Sequence, residues 1–327
     1  MYILAFETSC DDTSVAILHD REVIALSTHT QLEHSVTGGV VPEVAARSHA
    51  DAIFQSLDEA LIAAHITLSD IDVIACTERP WLLPSLLTGM TVAKTLSLSL
   101  QKPLIWVDHI ESHIFANYLW REEDALIFPA VVLTVSWGHT EIYHWPYGQA
   151  LEMLGQTRDD AAGEAFDKVS KMLGLGFPGG TVISRLSHEY RTSGVGIDEK
   201  RLFPRVMLES DSLDFSFSGL KSAVKRIIDA EIAKKGSISH DFQTYIAYEF
   251  EETVTDILSE KLLRALEQTH ARSMVLAGWV SANTTLKMKL EYIAREKSIP
   301  FFAPTKNIYS MDNAAMVGIR AYYMLPR

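Results

Sequence analysis

The stretch AVVLTVSWGHTEIYHW, residues 130–145, decides the fold, because it repeats the plan of the N-terminus. AVVLTVS is apolar on both faces, as a strand covered on both sides must be, and TEIYHW follows after a tight polar turn. LEMLGQT, residues 151–157, adds a third short strand. The N-terminal segments YILAFETS, TSVAILHD and EVIALSTH do the same. Each trio then gives way to helical periodicity. In the first unit this covers residues 42–64, followed by the strand DVIACT and a helix over 85–100; in the second it covers 163–173 and 181–190. Strands alternating with helix-length amphipathic stretches point to an α/β protein built from two related βββαβα units. Further helices are expected over 218–235, 240–269, from 281 and from 312, with the strand SMVLAG between the second and third.

Composition bounds what these units can do. The 327 residues exceed one ordinary domain, and 47% of them are hydrophobic, enough for two cores. Only Cys10 and Cys76 are present, too few for a disulfide framework, and YILAF follows Met1 without a basic leader, so a reducing cytoplasm is the expected compartment. The most apolar helical stretch, LLTGMTVAKTLSLSL, carries Lys94 and several hydroxyls and does not suit a bilayer, so no membrane association is expected. The net charge of −13 argues against a general nucleic-acid coat; a polyanionic partner must be met by a local basic patch or another subunit.

Two units facing each other would leave a cleft, with the turns ETSCDDTS and VSWGHT pointing in, both of a composition that suits phosphate. VDHIESHIFANYL carries a second signal: His109 and His113 are one helical turn apart and share a face, as two ligands of one metal ion would. A solvated pair of helix histidines has the same spacing. Asp312 in SMDNAAMVG, at an expected helix start, is the strongest distant carboxylate to join them. A zinc peptidase is excluded, because Glu111 lies two residues from His109 and points away from the shared face.

DDAAGEAFDKVSKMLGLGFPGG holds the densest information. Asp159 and Asp160 fit equally the N-terminal acids of an ordinary helix, whereas Asp167 and Gly180 suit a place where backbone approaches a ligand. In LAGWVSANTTLKMKL, Asn283 is either a helix cap or a ligand contact. Lys221, Lys225 and Arg226 share one amphipathic segment, which could meet phosphates or simply water.

The segments FETSCDDTSVA, GGVVPEVAARSH, DHIESHIFAN, DDAAGEAFDKVSKMLGLGFPGG, FSFSGLKSAV and MDNAAMVG, in that order across the chain, resemble the TsaD family, the tRNA N6-adenosine threonylcarbamoyltransferases. The resemblance implies two actin-like (ribonuclease H-like) α/β subdomains facing a central cleft: residues 1–125 with the metal helix, completed by 312–327, and residues 126–311 with a helical insertion. It implies transfer of a threonylcarbamoyl group from threonylcarbamoyl-AMP to N6 of the adenosine 3′ of the anticodon, in tRNAs reading ANN codons. His109, His113 and Asp312 match the family's ligands for one iron or zinc ion per subunit; Thr134, Val135, Ser136, Trp137, Gly138, Asp167, Gly180 and Asn283 match the positions that hold the adenylate. Asp11 is the acidic group expected near the reacting amine. TsaB-like and TsaE-like proteins are the implied partners.

Departures from the family pattern keep two alternatives open. Trp81, Trp106, Trp137 and Trp279 stand where the family has glycine, and Arg79 also departs. Four indoles in four loops that require no side chain fit one cause, UGA codons meant as glycine and read as tryptophan; Trp120 and Trp145 are left undecided. With native tryptophans the chain would instead be an inactive scaffold. A small-molecule kinase of the same fold would need neither the histidine pair nor Asp312.

Overall fold

The computed structural model describes residues 1–31, 40–147, 150–194, 201–208 and 210–326. Gly38 and Gly39 of the GGVVPEVAARSH segment lie outside the described residues. The chain forms two compact units, Met1–Ala125 with Pro304–Arg327, and Leu126–Ala303.

In the first unit β1 (Tyr2–Glu7), β2 (Asp12–His19) and β3 (Glu22–Thr30) form an antiparallel meander, and β4 (Val73–Arg79) and β5 (Leu104–Asp108) add in parallel beside β1. The sheet order is β3-β2-β1-β4-β5. Ile3 to Phe6 of β1 are wholly buried, as expected of a central strand with helices over it. The helices are α1 (Pro42–Ala64), α2 (Leu83–Leu100) and α3 (His109–Phe115), joined by α9 (Ala314–Met324) late in the chain. Gly318 lets α9 settle on β2, since a Cβ there would collide with the Leu18 side chain.

The second unit repeats the plan. β6 (Ala130–Val135), β7 (Thr140–Trp145) and β8 (Glu152–Gln156) form the meander, and β9 (Ser273–Ala277) and β10 (Phe301–Phe302) continue in parallel, giving β10-β9-β6-β7-β8. Strand for strand this is the order of the first sheet, so the repeat read in residues 130–145 is a repeat of topology. Its helices are α4 (Ala162–Met172), α5 (Gly179–Thr192), α6 (Ser218–Lys235), α7 (His240–Thr269) and α8 (Thr284–Glu296). The helix expected from residue 281 starts later: residues Trp279–Ala282 make a 3-10 turn, and α8 begins at Thr284 behind the Asn283 cap. The last helix likewise begins at Ala314, behind Asn313.

A buried cation fixes the connection ahead of α6. Lys261 on α7 is fully buried, and its Nζ donates to the carbonyls of Met207 at 3.1 Å and Ser212 at 2.6 Å. Burial lowers its pKa to about 8 from an ordinary 10.5, with Arg264 adding repulsion. The fold therefore favours the neutral amine. The stabilisation from this group is complete above the unfolded value and is lost as pH falls through about 8. Urea melts of the wild-type chain should show stability rising between about pH 7 and 10 from this group, and Lys261→Met should flatten that rise; an unchanged slope would contradict the assignment.

Candidate metal centre and glycine-bordered turn

β5 runs directly into α3, and Asp108 at the junction caps the helix, its Oδ1 accepting from the backbone N–H groups of Ile110 at 2.9 Å and Glu111 at 3.2 Å. The cap sets the phase of the helix and turns His109 and His113 inward, 3% and 0% exposed. Their rings meet edge to face, centroids 4.7 Å apart. Asp312, just before the Asn313 cap of α9, brings its Oδ1 to 3.1 Å from His113 Nε2 and 3.8 Å from His109 Nε2. The three donor atoms lie within 4.8 Å of one another. Glu111 points elsewhere and pairs with Arg320 at 2.7 Å, as its place on the helix requires.

The donor set fits a metal ion. The Nδ1 and Nε2 atoms of His113 are buried and make no hydrogen bond; the close approach to Asp312 lacks the alignment of one. Two imidazole nitrogens and a carboxylate converging this way match the borderline ligand preferences of iron and zinc. Burial lowers the pKa of His113 and keeps its ring neutral, the state that can ligate. Burial also acts to lower that of His109, but Glu7 and Asp312 carry it up to about 9.

On the second unit, β6 ends at Thr134 and Val135 and turns through Ser136, Trp137 and Gly138 before β7. The turn closes on itself, Ser136 N–H donating to the His139 carbonyl at 2.8 Å. The Thr134 hydroxyl is buried without a hydrogen-bond partner. α4 comes against this turn through Gly163, where a Cβ would lie 2.7 Å from both the Ser136 carbonyl oxygen and the Trp137 Cα. Asp167, one turn on, accepts from Gly179 N–H at 2.6 Å and from the Trp137 indole Nε1 at 2.7 Å. Gly180 follows at the start of α5 with open space where a Cβ would be. One turn further, Ser184 Oγ accepts from Asn283 Nδ2 at 3.0 Å. The structure thus joins the expected adenylate residues into one chain of contacts through Asp167 and α5.

Asn283 is nevertheless heavily engaged. Its Oδ1 caps α8 by accepting from Leu286 N–H at 2.8 Å, and its second amide hydrogen goes to Glu251 at 2.7 Å. The paired acids lie ahead of α4 and not in its first turn: Asp159 accepts from Ser216 and Ser218 hydroxyls at 2.6 Å, and Asp160 pairs with Lys168 at 2.8 Å and Lys221 at 2.6 Å. Lys225 pairs with Asp229 within α6. Asp11 lies half-buried in the turn between β1 and β2. Two acids were not singled out from sequence: Glu7, which contacts His109, and Glu251, which holds Asn283. Glu7 is a lone acid closing an apolar run, which is the signal that could have found it; Glu251 sits between Glu249 and Glu252 and carries no such signal.

A model of the family described as "TsaD: tRNA N6-adenosine threonylcarbamoyltransferase" matches residues 22–319. The chain belongs to the TsaD family. A relative of that printed name from Thermodesulfovibrio yellowstonii is 43% identical over 98% of this chain and 94% of its own length, and one from Staphylococcus aureus is 40% identical over 98% and 91%. Among solved structures, HypF of T. kodakarensis superposes over 99% of this chain and 48% of its own with a TM-score of 0.63 at 11% identity, and a full-length HypF over 100% and 47% with 0.60 at 13%. That likeness shows the fold, the actin-like α/β architecture expected from sequence.

Among the four tryptophans at expected glycine positions, Trp81 has φ 143°, a conformation that is essentially glycine's own. Trp120 also has positive φ, 61°. Trp106 sits part-buried in β5, and Trp279 opens the 3-10 turn after Gly278.

Two outcomes follow from this geometry. Chelator-free protein should carry one iron or zinc ion by elemental analysis, and a His109→Ala, His113→Ala double variant should carry none; full metal in the variant would sink the assignment. At position 81 the ordinary order of side chains should reverse, Trp81→Gly being more stable than Trp81→Ala by about 1 kcal/mol or more in urea melts, where Ala normally leads by about 0.4–1 kcal/mol.

Proposed function

We propose that this TsaD-family chain acts as its relatives are named, transferring a threonylcarbamoyl group to N6 of an adenosine in tRNA, and that the target is the adenosine 3′ of the anticodon in tRNAs reading ANN codons. The observation that carries the reading is near full-length identity of 40–43% with relatives of that name, accompanied by the His–His–Asp cluster of this chain. A kinase of the same fold has no use for that cluster.

The chemistry assigns work to these residues. An aryl amine is a weak nucleophile, so the acyl group must arrive activated, as the mixed anhydride threonylcarbamoyl-AMP, with adenylate leaving. His109, His113 and Asp312 would hold an iron or zinc ion, which when bound supplies Lewis acidity and an anchor for the threonyl-carbamoyl end. The turn from Thr134 to Gly138, Asp167, Gly180 and Asn283 would hold the adenylate, the backbone N–H groups at the start of α5 meeting its charge. Asp11 would stand near the attacking amine and take or hold its proton.

The chain's charge of −13 leaves tRNA to be recruited with help, and TsaB-like and TsaE-like proteins are the proposed partners. The cytoplasm, where tRNA is found, is the proposed place of action; no helix among the described residues is long and apolar enough to cross a membrane.

Trp81 supports a second element of this reading: that the native residues at 81, 106, 137 and 279 are glycines encoded by UGA. A φ of 143° is a place for glycine, and at 137 the indole takes an Asp167 oxygen that glycine would leave to a ligand. The gene should show UGA at those four codons, and UGG there would end the idea. A glycine-restored chain, supplied with partners, threonine, bicarbonate, ATP and the enzyme that makes the adenylate, should modify an ANN-reading tRNA. Nucleoside mass spectrometry finding only plain adenosine beside a working control would refute the activity.

A further inference from the structure

Behind the His109 ring stands a group that no metal would touch. Glu7 ends β1 and is 0% exposed. Its Oε2 lies 3.1 Å from His109 Nδ1, the nitrogen on the far side of the ring from Asp312 and His113. Two other contacts fix the carboxylate, the Thr77 hydroxyl on β4 donating to Oε2 at 2.6 Å and Ser9 N–H donating to Oε1 at 2.6 Å, and the strand that carries it is pinned between β2 and β4. Ser9 Oγ also reaches Nδ1, at 3.2 Å. A carboxylate this deep is costly unless it is paired and hydrogen-bonded, and this one has both.

We propose that Glu7 is the positioning residue of the metal centre: it accepts the Nδ1 proton of His109, fixes the tautomer that leaves Nε2 bare, aims the ring at the point shared with His113 and Asp312, and strengthens Nε2 as a donor. The inference rests on the metal reading above and deepens it. An imidazole has one nitrogen to give to a metal only if the other holds the proton, and which nitrogen holds it is set by the acceptor beside it. Here the acceptor is anionic, buried and immobilised from two strands. His113 has no equivalent, since its Nδ1 makes no hydrogen bond. The two ligands are therefore unequal, His109 held from behind at Nδ1 and His113 not. Ser9 Oγ is a neutral hydroxyl and is assigned the smaller share.

The test uses the full chain and zinc alone, with affinity from competition against a chromophoric chelator. Wild type should bind one zinc ion; Glu7→Gln, close in shape, should bind about 10–100-fold more weakly. Glu7→Asp should recover part of the loss, and Ser9→Ala should lose less than Glu7→Gln. A merely structural Glu7 would not move the second readout, long-range nitrogen–proton NMR of the zinc-loaded protein. In wild type, His109 should carry its proton on Nδ1 with a strongly downfield N–H that moves upfield in Glu7→Gln. Thermal melts of the zinc-free proteins report whether the variants fold; if Glu7→Gln does not, Glu7→Asp takes its place and should show a smaller loss of the same kind. Affinity in the folded variants within about threefold of wild type, or zinc on His109 Nδ1, overturns the proposal. A wild-type chain that binds no zinc or iron overturns the metal reading itself, a result distinct from any difference between variants.

Discussion

The constraint on which the first unit depends is a carboxylate and an imidazole with no water to share. Desolvating both is expensive, and the pair is tolerable because each remaining polar atom of Glu7 has a donor facing it. Those donors come from three places in the chain: the turn after β1, strand β4, and the first residue of α3. The register of β1 against β4 is consequently tied to the phase of α3, since a slip of one residue would turn Glu7 to the other face and leave His109 facing an apolar wall. The Asp108 cap does for the helix what the pairing does for the strand.

The second unit solves a similar problem with one carboxylate and many donors. Glu251, in the middle of α7, accepts from Ser184, Ser187 and Arg191 on α5, from Asn283 and from Thr285 on α8. Burial would raise its pKa, but these donors keep it below the ordinary value, so it remains charged and holds three helices together. Asn283 owes its orientation to this acid. Gly278, with φ of 82° and no room for a Cβ beside the Val135 carbonyl, sets the path from β9 to that asparagine.

What the sequence disclosed, and what it hid, divides along physical lines. Long periodic helices were readable to the residue, 42–64, 218–235 and 240–269, because hydrophobic spacing agrees with boundary residues: Pro42 opening the first, Gly236 closing the second, Ser239 capping the third. The doubled meander was readable from its inner strands β1, β2 and β6, where burial on both faces leaves apolar runs, whereas β3 and β8 at the sheet edges are mostly exposed or half-buried. The start of α8 was not, because Trp279 to Ala282 form a 3-10 turn whose composition passes for helix. Among site residues, His109 and His113 were marked by local spacing, and Asp312 only by its helix-start position and the family likeness. Glu7 stayed hidden, since its partners are 70 and 102 residues away and no local pattern encodes them. The fate of Asp159, Asp160 and Lys221 was equally non-local: their charges are spent on one another and on neighbouring serines.

Asp312 comes 199 residues after His113 in the chain, and α9, which covers β1 and β2, comes after Asp312. At about 5–20 residues per second, the ribosome delivers this carboxylate roughly 10–40 s after the histidines. Through that interval the nascent first sheet lacks a covering helix, and the two imidazoles have no third donor. The whole second unit is synthesised in the gap. Order of synthesis thus bears on the site: the three donors come together only when the fold is almost finished, so an ion arriving earlier would meet a two-point grip.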